Sequence, residues 1–383
     1  MSEVAEPLGL YVHLPFCEAK CSYCHFAIDP RRPGEDRQER YLRALLAEIE
    51  SVGPAGLPAD TLYLGGGTPT LLALDRLERL FAAVRARFRV DPRAEVTVEA
   101  NPRDLDAPGY RRLAALGVSR LSLGVQALDD GVLGEMGRLH TARDALRAAE
   151  DARAGGFASL SIDLILGWPG ETAARWRRNL EGLAAMAPDH VSLYVLEVEG
   201  KTLLSHRARQ GRLALPDDDL VAALYEETVD FLAGHGIRRY EISNFARPGF
   251  ASRHNGKYWD DAPFLGFGMA AHSYRAGRRW WNYEAFGAYC RAVETRGGGA
   301  AVAGDRVLTD RERTGEALFT GLRRAEGLRL SDFRRRYRLD PLVVFGERLR
   351  DPFTAGLLEV AEDRLRLTPR GVLLSNEVFR AFV

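Results

Sequence analysis

Apolar, β-branched runs alternate with helix-patterned segments through the first half of the chain. The runs are LGLYVHL (8–14), TLYLGGG (61–67), AEVTVEANP (94–102), RLSLGVQ (120–126), LSIDLILG (160–167) and HVSLYVLE (190–197). The helical patterns between them cover residues 37–52, 73–88, 109–116, 141–154 and 172–186. Strands that alternate with helices form a parallel sheet, because parallel neighbours need a crossover connection. Six such units predict an α/β fold with a partial (β/α)6 barrel of TIM type rather than a closed eight-stranded one.

The pattern changes from about residue 305. Helical stretches (TDRERTGEALFTGLRR, LSDFRRRYR and FGERLRDPF) precede the alternating LLEVAEDRLRLTP and a last short helix. Helices that end in a β-hairpin predict a small α+β domain of the winged-helix type. We therefore divide the chain into a core barrel (1–235), an extension that ends in the Gly-rich linker RGGGAAVAG (236–304), and a C-terminal domain (305–383).

Charge and N-terminal composition exclude several classes of partner. Lys plus Arg and Asp plus Glu both number 53, so the net charge is zero. A neutral chain has no electrostatic footprint for nucleic acid, and a winged-helix DNA regulator would need a basic recognition face that we do not find. The N-terminal stretch MSEVAEPLGLYVHLPF carries acidic residues and no long apolar run, so neither a secretory signal nor a membrane span is expected. We expect a cytoplasmic protein.

The cysteines are concentrated in one short loop. Cys17, Cys21 and Cys24 fall within YVHLPFCEAKCSYC, and the chain has four cysteines in all. Thiolates that follow a strand at this spacing hold iron–sulfur clusters. Zinc is the alternative, but structural zinc sites usually pair two cysteine knuckles, and no second knuckle exists. Three unmodified thiols are the remaining alternative. A four-iron cluster with three protein ligands leaves one iron open to an exogenous ligand.

Polar residues stand at the ends of the predicted parallel strands, where barrel sites form. Glycines in GGGTPT (65–70) allow a ligand to approach the backbone closely, although a plain Gly-rich turn is the alternative. Glu99, Gln126 and Arg138 supply a carboxylate, an amide and a guanidinium fork, and Asp163 interrupts an apolar strand. A buried carboxylate needs a partner, so Asp163 is either a ligand contact or a satisfied core residue.

C-x3-C-x2-C after a first strand resembles the signature of the radical S-adenosylmethionine (SAM) superfamily. The resemblance implies a 4Fe-4S cluster on Cys17, Cys21 and Cys24, whose open iron chelates S-adenosylmethionine. Reductive cleavage in that family yields a 5′-deoxyadenosyl radical. It also implies the residues that contact S-adenosylmethionine: Tyr11, Gly66, Gly67, Thr68, Glu99, Gln126, Arg138 and Asp163.

Within that superfamily, YVHLPFC, GGGTPT, SLGVQ, GRLH and DLILGWPGET resemble the oxygen-independent coproporphyrinogen III oxidases and their relatives. The similarity covers roughly residues 8–275 and is weaker in the C-terminal domain, which would be HemN-like. The oxidases carry a further cysteine two residues after the last ligand and an N-terminal extension. This chain has Phe26 at that position, and its motif begins near residue 1. HNGKYW (254–259) resembles the signature of the other subfamily, the heme chaperones (HemW).

The second signature implies a heme site. Histidine is the commonest ligand of heme iron, so His254 is the expected ligand, and Tyr258 and Trp259 would pack against the macrocycle. His272 is a second candidate, with a core or substrate contact as its alternative. His25 stands where the chaperones usually have Asp, and we expect an exposed loop residue or a residue that tunes the cluster. Cys290 lies in a helical pattern and is expected to be a small apolar filler.

The resemblance therefore implies a heme chaperone that binds a 4Fe-4S cluster, S-adenosylmethionine and heme, and delivers heme to client heme proteins of the respiratory chain. Membrane contact would come through those clients, and a homodimer is a further expectation. No nucleic acid is expected as a partner. The alternative is an oxygen-independent coproporphyrinogen III oxidase, an enzyme that decarboxylates propionates with the 5′-deoxyadenosyl radical. The absence of the further cysteine argues against that activity.

Overall fold

Six parallel strands form the first half of the protein. The structure is a computed structural model that describes residues 6–29, 34–198, 200 and 202–382. The strands pair in chain order, each parallel to the next. They are β1 (Leu8–Leu14), β2 (Leu57–Gly66), β3 (Phe88–Ala100), β4 (Arg120–Gln126), β5 (Ser159–Leu166) and β6 (His190–Val195). All six predicted strands are present, and the predicted partial barrel is confirmed.

Helices connect these strands on the outer face of the sheet. They are α1 (Glu35–Ser51), α2 (Leu74–Arg87), α3 (Ala107–Ala115), α4 (Asp130–Met136), α5 (Ala142–Gly155) and α6 (Ala173–Ala185), with a 3-10 turn at Pro69–Leu71. Local sequence signals set their ends. In α5, Thr141 and Asp144 form a capping box, and Gly156 ends the helix in the left-handed region at φ 90°. The short helix α4 is absent from the sequence prediction.

Alternation along the strands separates an apolar outer face from a polar interior. Leu10, Val12 and Leu14 of β1 are fully buried in the core that includes α1, whereas Tyr11 and His13 point into the barrel. Burying a leucine side chain contributes about 1.5–3 kcal/mol, so the outer face carries most of the packing energy. The interior of the barrel is left for polar side chains.

The extension continues the sheet at both edges. Strand β9 pairs parallel with β1, and β8 pairs antiparallel with β6, which gives a sheet of twelve strands within the described residues. Its strands are β7 (Arg238–Arg239), β8 (Asn244–Ala246), β9 (Phe264–Phe267), β10 (His272–Arg275), β11 (Arg278–Asn282) and β12 (Val302–Val307). Two helices of the barrel domain precede it, α7 (Leu203–Arg209) and α8 (Asp218–Gly234), and its own helices are α9 (Arg253–Trp259) and α10 (Phe286–Arg296).

The Gly-rich stretch 296–304 is ordered, contrary to the expected linker. It holds a 3-10 turn (Gly298–Ala301) and the start of β12, which pairs with β11. A Cβ atom at Gly298 would lie 2.0 Å from the Ala47 carbonyl oxygen, so this glycine is required by close packing against α1. Strand β12 also crosses the predicted boundary between residues 304 and 305.

The C-terminal domain has the predicted order of helices followed by a hairpin. Its sheet has the order β13-β15-β14. The elements are α11 (Asp310–Gly321), β13 (Leu328–Arg329), α12 (Leu330–Tyr337), α13 (Pro341–Val344), α14 (Gly346–Thr354), β14 (Leu358–Ala361), β15 (Arg364–Leu367), α15 (Pro369–Leu373) and α16 (Ser375–Phe379). Among the helices described, none is both long and apolar enough to cross a membrane. The first five residues of the predicted barrel domain, with residues 30–33, 199, 201 and 383, lie outside the described residues.

Candidate functional site

The three clustered cysteines lie on a loop that follows β1 and is held from several sides. The Ser22 amide donates to the Met136 carbonyl at 2.9 Å, and the Leu204 amide donates to the Ser22 carbonyl at 2.9 Å. Phe16 is fully buried, with its ring 5.5 Å from that of Tyr41. Cys17, Cys21 and Cys24 themselves are half-buried and line one cavity. The fold thus presents three thiols from a fixed loop.

His13 ties this loop to the barrel interior. Its Nε2 lies 2.7 Å from the Ala27 carbonyl oxygen, and its Nδ1 lies 3.0 Å from the Tyr11 hydroxyl. A carbonyl only accepts, so Nε2 carries the proton and Nδ1 accepts from Tyr11. Burial lowers the pKa of His13, which keeps the ring neutral. Sequence reasoning missed His13, although it stands two residues from Tyr11 in the same strand.

The glycine turn after β2 lies directly against the cysteine loop. The Gly67 amide donates to the Leu14 carbonyl at 2.8 Å, and the Thr68 amide donates to the Phe16 carbonyl at 2.6 Å. Gly66 has φ 108°, and a Cβ at this position would lie 2.5 Å from the His13 ring. Only glycine therefore allows this turn to approach the loop.

Two half-buried carboxyl groups, those of Glu99 and Asp163, line the same cavity. Glu99 accepts from the Tyr63 hydroxyl at 2.6 Å and from the Gly66 amide at 3.2 Å, and Asp163 accepts from Ser122 at 3.1 Å. Burial, together with the charge of Asp163, raises the pKa of Glu99 to about 7, and burial also raises the pKa of Asp163. Such carboxyl groups favour a cationic partner, because a positive charge would offset the energy of ionising them.

Both terminal nitrogens of the Arg138 guanidinium have partners within the protein, and one of these partners is a cysteine. One of its terminal nitrogens donates to the Cys21 sulfur at 3.7 Å, and the other donates to the Gly124 carbonyl at 2.6 Å and to the Asn101 side chain. Its Nε atom is buried and has no hydrogen-bond partner among the described residues. Asn101, which sequence reasoning missed, also donates to Thr68 Oγ1 at 2.9 Å.

The cavity brings together most of the residues that the sequence singled out. Its volume is about 1010 Å³. The wall includes the three cysteines and Gly66, Gly67, Thr68, Glu99, Gln126, Arg138 and Asp163. Gln126 adopts φ 68°, an uncommon conformation for a residue other than glycine. Tyr11 is the exception, because it lies behind His13 and not on the cavity wall.

The outer wall of the cavity comes from the end of the barrel and from the C-terminal domain. Tyr194 and Val195 of β6 are exposed there, opposite the segment 370–376 of the C-terminal domain. Phe26, in place of the further cysteine, is 60% exposed on the cysteine loop. His25 is also exposed, and its ring lies 5.2 Å from that of Phe26. The cavity therefore extends well beyond the cysteines.

His254 lies at the other end of the strands. It is 1% exposed and lies level with Gly9 near the start of β1, beside Thr61 of β2 and Glu95 of β3, which are in register with Gly9. Its Nδ1 lies 2.8 Å from Thr61 Oγ1 and its Nε2 lies 2.9 Å from the Tyr258 hydroxyl. Its ring lies 5.2 Å from that of Tyr63, whose hydroxyl donates to Glu99. Glu95 accepts from the amides of Arg253 and His254 at 3.1 and 3.0 Å, which holds the start of α9. Burial, with a smaller contribution from the charge of Lys257, lowers the pKa of His254 to about 3. The HNGKYW segment contributes no residue to the described lining of the cavity.

The C-terminal domain holds the far end of α9. Arg323 lies over the Trp259 ring, 4.6 Å from its centre, and Arg324 forms an ion pair with Asp260. Asp261, whose side chain is 9% exposed, accepts from Tyr337 at 2.7 Å and pairs with Arg313 at 3.1 Å. Arg336 and Tyr274 also contact Asp261. We call these contacts of residues 259–261 the α9 clamp.

His272 and Cys290 lie away from the cavity residues described so far. His272 is exposed on β10, where its ring stacks on Trp281 at 6.2 Å. Cys290 is fully buried in the hydrophobic core, as expected for an apolar filler.

The arrangement of the cysteines is compatible with a cluster. Among the described residues, no group of three His, Cys, Asp or Glu side chains is placed to hold a single metal ion. A four-iron cluster needs one sulfur at each of three separate corners, so its ligands need not converge on one point. A four-iron cluster beside the glycine turn would agree with three features of the site. These are the three thiols on one loop, the lack of room for a Cβ at the turn, and the Arg138 Nε that has no partner among the described residues.

Comparison with known proteins identifies the family. Residues 11–181 match the radical SAM superfamily, and residues 308–374 match the HemN C-terminal domain. The protein named heme chaperone HemW from Lactococcus lactis subsp. lactis is 35% identical, covering 99% of this chain and 98% of its own length. Its namesake from Mycobacterium tuberculosis is 38% identical over 99% of this chain and 95% of its own length. The chain belongs to the HemW family of radical SAM proteins. The resemblance read from the motifs is thereby confirmed.

A solved structure shows the same architecture. The coproporphyrinogen III oxidase HemN from Escherichia coli, described as a radical SAM enzyme, superposes with a TM-score of 0.86 at 27% identity. It matches 98% of this chain and 90% of its own. The HemW-family chain thus shares its fold with an oxidase, and only particular residues can separate the two functions.

Proposed function

We propose that this HemW-family protein is a heme chaperone that carries a 4Fe-4S cluster and S-adenosylmethionine at the barrel mouth and transfers heme to client proteins. The observation that carries the proposal is the match to proteins named heme chaperone HemW along 97–99% of the chain. The presence of two signatures in the chain, the cysteine loop and HNGKYW, agrees with that match.

Cys17, Cys21 and Cys24 would hold the cluster, and S-adenosylmethionine would occupy the cavity beside the glycine turn. The cluster, when bound, supplies an open iron and one-electron chemistry. Glu99 would receive the amino group, because its half-buried carboxylate favours a positive charge. Gly66, Gly67 and Thr68 would line the amino-acid end, and Gln126, Arg138 and Asp163 the remainder. Tyr11 would act from behind, through His13.

His254 would ligate heme only after α9 moves. A neutral imidazole is the form that binds iron, and the low pKa of His254 keeps it in that form. Its Nε2, however, lies 2.9 Å from the Tyr258 hydroxyl within the barrel base. Ligation therefore requires that the contacts with Thr61 and Tyr258 open, and the apparent affinity falls by the fraction of open molecules.

The similarity to HemN favours one alternative, an oxygen-independent coproporphyrinogen III oxidase. A cavity of about 1010 Å³ has room for a ligand larger than S-adenosylmethionine. Against this activity stands Phe26, which replaces the further motif cysteine of the oxidases. Heme delivery to respiratory client proteins, membrane contact through those clients, a cytoplasmic location and a homodimer all stay predictions.

The test is anaerobic reconstitution followed by two separate additions. Hemin should produce a saturable Soret band that is lost in His254→Ala. Coproporphyrinogen III with reductant and S-adenosylmethionine should give no protoporphyrinogen. Formation of protoporphyrinogen would contradict the chaperone function and support the oxidase. His235→Ala is the matched control, because that exposed histidine has no predicted role in heme binding and should leave the Soret band unchanged.

A further inference from the structure

The side-chain amide of Asn101 connects two groups that reach cysteine sulfurs. Its Nδ2 lies 2.9 Å from Thr68 Oγ1, and Thr68 Oγ1 lies 3.8 Å from the Cys17 sulfur. Its Oδ1 accepts from Arg138, whose other terminal nitrogen lies 3.7 Å from the Cys21 sulfur. One amide therefore stands behind the polar contacts of two cysteines.

The chemistry of the partners fixes which way this amide points. A guanidinium has only donors, so the oxygen of Asn101 must face Arg138 and its NH2 group must face Thr68. Because Thr68 Oγ1 accepts from that NH2 group, its own proton is free to point at Cys17. A cysteine sulfur bound to iron has no proton and can only accept. The hydrogen bonds thus run from Asn101 to Thr68 and from Thr68 to the Cys17 sulfur.

The backbone gives Asn101 little freedom to turn away. The backbone N–H of Asn101 donates to Asp104 Oδ2 at 2.6 Å, and the backbone N–H of Asp104 donates to the backbone carbonyl of Asn101 at 3.1 Å. Asp104 also accepts from the Thr70 hydroxyl at 2.5 Å, which joins this turn to the segment after Thr68. The turn that follows β3 therefore fixes the backbone from which the Asn101 side chain extends.

We propose that Asn101 is a positioning residue that directs hydrogen bonds from Thr68 and Arg138 onto the Cys17 and Cys21 sulfurs and so raises the reduction potential of the cluster. The inference rests on the proposed 4Fe-4S cluster. Donors to sulfur stabilise the reduced, more negative state, so their loss lowers the potential. None of the predicted S-adenosylmethionine contacts includes Asn101.

The test is a redox titration of cluster-loaded protein without S-adenosylmethionine. Electron paramagnetic resonance measures the fraction of reduced cluster at each potential. Thr68→Val removes the donor to Cys17 and should move the midpoint potential to a more negative value. Thr68→Ser keeps the hydroxyl and is the matched control without a shift. Asn101→Asp still accepts from Arg138 but cannot donate, so the Thr68 proton turns to the carboxylate and the potential also falls.

The double variant separates positioning from a simple effect of charge. In the Asn101→Asp background Thr68 no longer serves Cys17, so Thr68→Val should add a smaller shift than in the native background. Equal shifts in both backgrounds, or no shift in Thr68→Val, would overturn the inference. If Asn101→Asp cannot hold a cluster, the same comparison is made in Asn101→Ala, and equal shifts there also overturn it. A native protein that holds no cluster would contradict the proposed function itself.

Discussion

At the scale of single residues, the cysteine loop makes the sharpest prediction. Cys21→Ala should abolish the sulfur-to-iron charge-transfer absorbance of the reconstituted cluster at roughly 400 nm. Three cysteine sulfurs are needed to hold three of the irons, so the cluster should be lost with one of them. Cys290→Ala is the control, since that thiol is buried in the core and should leave the cluster intact. Survival of the band in Cys21→Ala would refute the ligand assignment.

Glu99 predicts a pH dependence. Its pKa is raised to about 7 in the folded protein, so the folded state binds a proton that the unfolded state has lost above about 4.5. Its contribution to stability is therefore present below pH 4.5 and is lost as the pH rises through 7. Glu99→Gln should flatten this decline and raise the melting temperature at pH 8 relative to the native protein.

The same variant should lose S-adenosylmethionine. Native binding should strengthen as the pH rises through 7, because Glu99 ionises there, and Glu99→Gln should bind weakly at every pH. Calorimetric titration of the cluster-loaded protein measures both. A Glu99→Gln protein that binds with native affinity would remove Glu99 from the site.

The sequence predicted the site residues whose role follows from their position at the end of a strand. It did not predict the residues whose role depends on contacts made inside the folded protein. Seven of the eight predicted S-adenosylmethionine contacts line one cavity, because the carboxyl ends of parallel strands meet. Asn101 and His13 were missed, since an amide or imidazole beside a motif has no pattern of its own. Their roles depend on partners more than 30 residues away for Asn101 and 14 residues away for His13.

At the scale of elements, α9 decides how His254 is used. His254 fills the barrel base and satisfies Thr61 and Tyr258. His254→Ala should therefore destabilise the protein by about 2–4 kcal/mol, through a cavity and two buried hydroxyls without partners. Denaturant unfolding measures this change, and an unchanged midpoint would contradict the buried position. A lost Soret band in this variant must accordingly be compared at matched folded fraction.

The α9 clamp gives an independent handle on heme. Asp261→Asn weakens the contacts with Arg313 and Arg336, so α9 should open more often and hemin should bind several-fold faster. Stopped-flow absorbance measures the rate, and hydrogen exchange of residues 253–259 should increase in parallel. Asp351→Asn is the control, because that carboxylate is 92% exposed and pairs with its neighbour Arg350. Faster exchange without faster heme binding would remove α9 from the heme route.

Elements followed from the sequence unevenly. The six barrel strands were predictable from their apolar runs and the intervening helices. Strand β9, only four residues long, gave no comparable signal, yet it extends the sheet beside β1. The Gly-rich stretch was read as a linker because glycine usually marks loops, whereas here Gly298 permits close contact with α1.

At the scale of the whole molecule, the two ends of the barrel carry separate predicted sites. The cysteines and the cavity lie at the carboxyl ends of the strands, and His254 lies at their starts. The C-terminal domain touches both, through the cavity wall at 370–376 and through the α9 clamp.

The most direct measurement of the central claim is a hemin titration of the cluster-loaded native protein followed by addition of a heme-free acceptor cytochrome. A chaperone should show a saturable Soret band, and the band should then shift to that of the acceptor faster than when the acceptor is mixed with the same concentration of free hemin. A protein that binds no heme saturably, or that converts coproporphyrinogen III under the same conditions, would contradict the account.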